Sequence, residues 1–156
     1  MSDNKIMHFN IRVYGIAINE ENRILLTDEY RLGRRMTKFP GGGLEFGEGT
    51  LDCLKRECME EFAQEIDILK HFYTTDYFQP TQLIEEPQQL ISIYYMIKLK
   101  NPDILVTTTR KFDFEDKDGA QTFRWVNLKD LREDELTFPI DRKVMGMVKE
   151  DRELKI

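Results

Sequence analysis

Residues 42–64 read GGLEFGEGTLDCLKRECMEEFAQ, and this stretch decides how the rest of the chain is read. Thr50 suits a helix N-cap, because its hydroxyl can accept a hydrogen bond from a first-turn amide that has no partner within the helix. Leu51, Leu54, Cys58 and Phe62 follow at helical spacing and predict a buried stripe. Asp52 and Arg56 stand at i and i+4 and predict an ion pair on the same helix. The helix should end near 63–65. Its remaining face carries Glu57, Glu60 and Glu61 at i, i+3 and i+4. Like charges at that spacing repel by roughly 0.2–0.5 kcal/mol per pair. Three acids kept together just after a glycine-rich turn imply a cation for them to hold, and so divalent-metal chemistry on a phosphate.

The flanks predict mostly strands. HFNIRVYGIAI at 8–18 alternates and is rich in β-branched residues. A turn at 19–22 and a second strand at 23–27 would complete a hairpin. Residues 28–38 read as a polar, basic connection. Phe39-Pro40 and three glycines then break regular structure and let the backbone approach a ligand closely. Downstream, 66–78 is strand-like and 79–89, with two prolines, reads as a loop. LISIYYMIKL at 90–99 is a strand with Ile91, Ile93, Tyr95, Ile97 and Leu99 on one face. A charged, turn-like segment spans 107–119, and a short strand 122–126. Pro139 opens a last helix to about Lys149, with Ile140, Val144, Met147 and Val148 on its buried face. Residues 150–156 read as a frayed tail. With no internal repeat or linker, 1–156 reads as one α+β domain.

Composition narrows the function classes. The chain has 156 residues, 40 % hydrophobic and 33 % charged, a soluble globular balance long enough for a core without disulfides or structural zinc. A net charge of −6 argues against a dedicated nucleic-acid binder, although a bound metal would invert the charge logic locally. Cys53 and Cys58 diverge around the helix and read as small buried hydrophobes, in keeping with a reducing compartment. No signal-peptide pattern or membrane-length apolar run is present, so the expected location is the cytoplasm and no membrane partner is expected. His8 and His71 lack a second histidine at ligand spacing and read as structural.

From Gly42 the spacing runs five residues to Glu48, seven more to Arg56-Glu57, then Cys58, one residue, and Glu60-Glu61. This resembles the Nudix box, G-x5-E-x7-R-E-U-x-E-E-x-G-U, where U is a bulky apolar residue. Every charged position is filled. Ala63 stands where the family has glycine and Gln64 where it has an apolar residue, and both predict an altered helix exit. The resemblance implies an α/β/α sandwich with a mixed sheet. It also implies a hydrolase that cleaves a pyrophosphate bond in a nucleoside diphosphate linked to another moiety, using Mg²⁺ or Mn²⁺. Its metal ligands would be Glu57, Glu60, Glu61 and the carbonyl of Gly41. Hard oxygen ligands with positions left for water and phosphate fit that ion. Arg56 would orient the glutamates, and Glu48 would be structural or act through water. For the general base the family often uses an acid outside the box, here Asp118, Glu115 or Asp116. The alternative is a box glutamate, Glu60 or Glu57.

The expected partner is a small-molecule nucleotide: ADP-ribose, a nucleotide sugar, a dinucleoside polyphosphate or a nucleoside triphosphate. Arg31, Arg34 and Arg35 are candidate phosphate contacts. Phe39, Tyr77, Phe78 and Tyr94 are candidate stacking residues. Pro80 stands roughly where ADP-ribose-cleaving members carry a proline. Family members often dimerise, so a homodimer is an expectation of the resemblance alone. The alternative function is a catalytically silent nucleotide-binding or regulatory module. Such modules usually lose a box carboxylate, and this chain keeps them all.

Overall fold

The computed structural model describes residues 5–82 and 84–153. Strand β1 (Phe9–Ala17) lies in the middle of a four-stranded mixed sheet ordered β4-β1-β6-β5, with β4 at Gly41–Gly43, β5 at Ile66–Thr74 and β6 at Gln89–Leu99. β1 runs parallel to β6 and the other pairs are antiparallel. A second, antiparallel sheet is ordered β3-β2-β7, with β2 at Arg23–Arg31, β3 at Arg34–Lys38 and β7 at Gln121–Asn127.

Alternation along β1 and β6 sends side chains to two cores. Val13, Ala17, Ile97 and Leu99 pack with Cys53, Leu54 and Cys58 of helix α1 (Thr50–Phe62). Tyr14, Ile16 and Tyr94 pack with Ile140, Val144, Met145 and Val148 of helix α2 (Pro139–Glu153). The result is the α+β sandwich with a mixed sheet that the sequence predicts. β6 therefore buries both faces, not just the one with Ile93, Tyr95 and Ile97.

Several local expectations are corrected. The expected hairpin of 8–18 with 23–27 does not form, because β1 and β2 part into different sheets after the turn, joined only by a bridge from Ile18 to Ile24. The hairpin is instead β2–β3, which occupies the expected connection at 28–38. Its tip, Leu32-Gly33, takes positive φ at both residues (54° and 72°), as a tight two-residue hairpin turn requires. The glycines at 41–43 form edge strand β4 rather than breaking the structure. Thr50 is not the cap. Gly49 holds that position, and Thr50 Oγ1 pairs with the Tyr95 hydroxyl at 2.7 Å. Leu51 is 44 % exposed, and Cys53 takes its place in the buried stripe. Arg56 turns away from Asp52 toward other acids.

The helix exit keeps its shape despite Ala63. Ala63 adopts the left-handed conformation (φ 52°, ψ 38°) that glycine normally supplies, so α1 stops at Phe62. That geometry costs a residue with a Cβ about 1–2 kcal/mol. Gln64 is buried here, and its Nε2 donates to the Asn101 carbonyl at 2.9 Å. At the other end of the chain, α2 extends through Glu153, past the expected start of fraying, and 154–156 lie outside the described residues. Both cysteines are buried and free. No described helix is long and apolar enough to cross a membrane.

Candidate active site

The loop between β4 and α1 is closed by Glu48, whose Oε1 accepts the Glu45 amide at 2.9 Å. Arg56, one and a half turns into α1, gathers this loop and the helix face. Its Nε and Nη2 grip Glu48 bidentately (3.0 and 2.7 Å), and Nη2 also donates to the Gly43 carbonyl at 3.1 Å. Nη1 donates to Glu57 Oε1 at 2.9 Å and to Glu60 Oε2 at 3.2 Å. All five guanidinium donors are thereby used, in the fixed fork that only arginine presents. Hydrogen bonding from Arg56 holds the Glu48 carboxyl down at about 2, well below the usual carboxylate value. The same bonds raise the pKa of Arg56.

The three box glutamates differ sharply. Glu57 lies against Gly42, where a Cβ would fall 2.4 Å from the Glu57 carboxyl carbon. A side chain at position 42 would therefore displace the Glu57 carboxylate from its present position. Gly41 is required for both space and conformation, with φ 143° and a Cβ position 2.1 Å from the Val13 carbonyl oxygen. Glu60 is 60 % exposed. Glu61 turns inward, and its Oε2 is buried with no hydrogen-bond partner. Burial pushes its pKa up to about 7, nearby Lys38 opposes that shift, and Glu57 adds to it. Among the described residues, no three His, Cys, Asp or Glu side chains stand close enough together to enclose an ion. The donor chemistry nevertheless fits a divalent cation: a partnerless buried carboxylate oxygen beside a second carboxylate, in space left open by a glycine.

The acids outside the box sit elsewhere. Asp118 Oδ1 accepts the Leu32 amide at the β2–β3 tip (3.2 Å), and Asp116 pairs with Arg35 at 2.8 Å. Both therefore fasten the segment before β7 to the hairpin. Arg35 also lies over the Phe112 ring, 5.5 Å from its centroid. The buried Asp28–Arg124 pair ties β2 to β7, and Asp28 also accepts from Thr37 of β3 and the Phe112 amide.

The inner wall of the site was not anticipated from the sequence. Glu29 and Lys38 form a buried ion pair at 3.2 Å across β2 and β3, and Gln121 reaches Glu29 at 3.4 Å. Arg12 of β1 donates to the Tyr14 hydroxyl at 2.6 Å and feels the charges of Glu57 and Glu29. Arg12, Glu29 and Lys38 also line a cavity of about 220 Å³ on the α2 side of the mixed sheet. Its far wall comes from residues 79–82, including Pro80, from Ile84, and from the start of α2. Of the candidate phosphate contacts, Arg31 lines this cavity and Arg35 is engaged by Asp116. Of the candidate stacking residues, Phe39 and Tyr94 are buried and pack edge to face, Tyr77 lies under Lys143, and Phe78 is exposed. His71 pairs with Thr74.

A family profile described as the NUDIX domain matches residues 8–146. An RNA pyrophosphohydrolase of Francisella tularensis is 25 % identical over 122 residues, covering 72 % of this chain and 74 % of that protein. Among solved structures, a NUDIX hydrolase from Nitrosomonas europaea superposes with a TM-score of 0.64 at 16 % identity, over 88 % of this chain and 86 % of that one. An ADP-ribose pyrophosphatase from Streptococcus suis superposes with a TM-score of 0.57 at 13 % identity, over 92 % and 91 % of the two chains. The profile match over most of the chain, on a sandwich that gathers the box around Arg56, shows that the chain belongs to the Nudix family and is a Nudix hydrolase.

Proposed function

We propose that this protein is a divalent-metal-dependent hydrolase that cleaves a phosphoanhydride bond in a nucleoside diphosphate linked to another moiety, such as ADP-ribose, a nucleotide sugar or a nucleoside triphosphate. The observation that carries the reading is Glu61 Oε2, a buried carboxylate oxygen with no partner, beside Glu57. A buried polar atom is normally satisfied, and an exception calls for an explanation such as an ion.

Glu57, Glu60 and Glu61, with the Gly41 carbonyl, would hold Mg²⁺ or Mn²⁺. When bound, the cation polarises a phosphoryl oxygen and acidifies a water. Arg56 keeps Glu57 and Glu60 aimed at one region while Glu48 fixes Arg56 itself. Arg12 and Lys38, lining the cavity within electrostatic reach of Glu57 and Glu61, are placed to neutralise phosphate oxygens as the substrate enters. The proton of the attacking water goes to a box glutamate, Glu60 being the exposed one held by a single hydrogen bond. Asp118 is the alternative base, and its engagement at the hairpin tip counts against it.

The test incubates the protein with a nucleotide panel and Mg²⁺ and assays released mononucleotide, phosphate and pyrophosphate. Asp118→Asn should keep most of the activity, and a loss of several orders of magnitude in that variant would move the base to Asp118. Undiminished hydrolysis by a Glu60→Gln, Glu61→Gln double variant would overturn the mechanism. Tight nucleotide binding without turnover would favour a silent binding module.

A further inference from the structure

Buried acids on the inner wall of the site outnumber the ammonium that faces them. Glu29 stands opposite Gln121, and Thr27 stands opposite both Lys38 and Phe123. Strand alternation therefore sets all five on one face of the three-stranded sheet. That face abuts the end of α1, where the Phe62 ring packs on the Phe123 ring with centroids 4.9 Å apart. Glu61, the residue before Phe62, is flanked there by Lys38, Glu57, Gln121 and Glu29.

Glu29 and Glu61 bring two carboxylates to this wall, and Lys38 brings one ammonium. Arg12, the next cation, lies within reach of Glu57 and Glu29, but its Nε is engaged by the Tyr14 hydroxyl. The Lys38 ammonium stands with Glu29 at 3.2 Å, both side chains being buried. Gln121 Nε2 adds a donor to the same Glu29 carboxylate at 3.4 Å. Glu61 Oε2 is left bare. A buried ion pair contributes little net stability, because desolvating both charges offsets their attraction. Its place beside candidate cation ligands points to an electrostatic role instead. If Lys38 paired with Glu61, its charge would fill the place that a divalent ion needs.

We propose that Glu29 is a positioning residue for the cation site: it holds the Lys38 ammonium off Glu61 and so keeps the bare Glu61 oxygen open to a divalent ion. The inference rests on the metal reading of the box above. Glu29 is then a carboxylate that strengthens cation binding without being a ligand, and Lys38 is a fixed charge that weakens it. At an effective dielectric constant of about 20, a unit charge several ångströms from a divalent ion changes its affinity by about tenfold or more.

The experiment titrates Mn²⁺ into the nucleotide-free protein and follows free Mn²⁺ by electron paramagnetic resonance. Lys38→Met removes the ammonium and keeps the length of the stem, and it should bind Mn²⁺ about tenfold or more tighter than the wild type. Glu29→Gln leaves the ammonium without its anionic partner and free to turn to Glu61, and it should bind Mn²⁺ about tenfold or more weaker. The Glu29→Gln, Lys38→Met double variant should fall between the two. Lys38→Arg keeps the charge and should stay within about threefold of the wild type. Both single variants break the same ion pair, so a purely structural pair predicts changes of the same sign in both. Weaker or unchanged binding in Lys38→Met, or tighter or unchanged binding in Glu29→Gln, would overturn the assignment. Where Lys38→Met alone does not melt cooperatively, the step from Glu29→Gln to the double variant measures the same ammonium, and any result but tighter binding in that step overturns the assignment too. A wild type that binds no Mn²⁺ would sink the metal reading and this inference with it. Mn²⁺ binding that shifts the same way in both single variants would sink this inference alone.

Discussion

Glu48 and Glu61 belong to the same 23-residue motif, yet the fold drives them to opposite states. Glu48 receives two hydrogen bonds from Arg56 and the Glu45 amide, and stays ionised down to about pH 2. Glu61 faces inward with a bare oxygen, and burial holds it protonated up to about pH 7. Donors delivered by the fold, rather than residue type, separate an acid that braces the site from one left with a bare oxygen. The cavity wall repeats the pattern, with Glu29 satisfied by Lys38 and Gln121 and Asp141 only half satisfied.

The sharpest way to break this contrast is Glu61→Gln. We expect kcat/KM to fall about 10²–10³-fold, the scale of losing one preorganised electrostatic contact. The same variant should gain thermal stability in chelator above pH 7. Glu61 has a raised folded pKa, so its contribution is fully present below its ordinary value and is lost as pH rises through about 7. Melting curves at pH 5 and 8 read this directly, and equal shifts at both would contradict it.

Asp141→Asn should remove a second pH dependence. The folded pKa of Asp141 is raised by burial from 3.8 to about 6, so its own contribution to stability is fully present at low pH and is lost as pH rises across that window. The decline amounts to about 3 kcal/mol. Denaturant titrations of the variant should show it missing, and a variant that keeps the same slope would mean that Asp141 is not the group.

Arg56→Gln should cost about 10–100-fold in activity, as loss of a group that orients ligands does. It should also weaken Mn²⁺ affinity while melting stays cooperative. Unchanged Mn²⁺ affinity would place Arg56 outside the orienting role. The smallest effect is Ala63→Gly, which relieves the left-handed strain. A gain of about 1 kcal/mol, or roughly 2–4 °C in Tm, is expected, and a lower Tm would show that Ala63 packs better than it strains.

What was legible in the sequence was local and periodic. The box helix, both central strands and the last helix could be read because apolar spacing reports a face directly. The orienting role of Arg56 came from the family resemblance, whereas helical spacing alone pointed it at Asp52. Pairings between distant segments were not legible. The stretch 28–38 looked like a basic connection because its alternation is carried by charged residues, and only the fold shows that Glu29 and Lys38 point inward toward each other. Asp141 resembled an ordinary first-turn acid, and its link to Tyr94, 47 residues away, left no local trace. Thr50 looked like a cap because its type suits one, yet tertiary contact with Tyr95 claimed its hydroxyl.

The contact between Gly42 and Glu57 carries a further consequence. With a Cβ at position 42 landing 2.4 Å from the Glu57 carboxyl carbon, any side chain there would push that carboxylate aside. In a mutational library Gly42→Ala should therefore lose activity by displacing Glu57 while the fold persists, so this part of the motif is held in place by geometry as well as by chemistry.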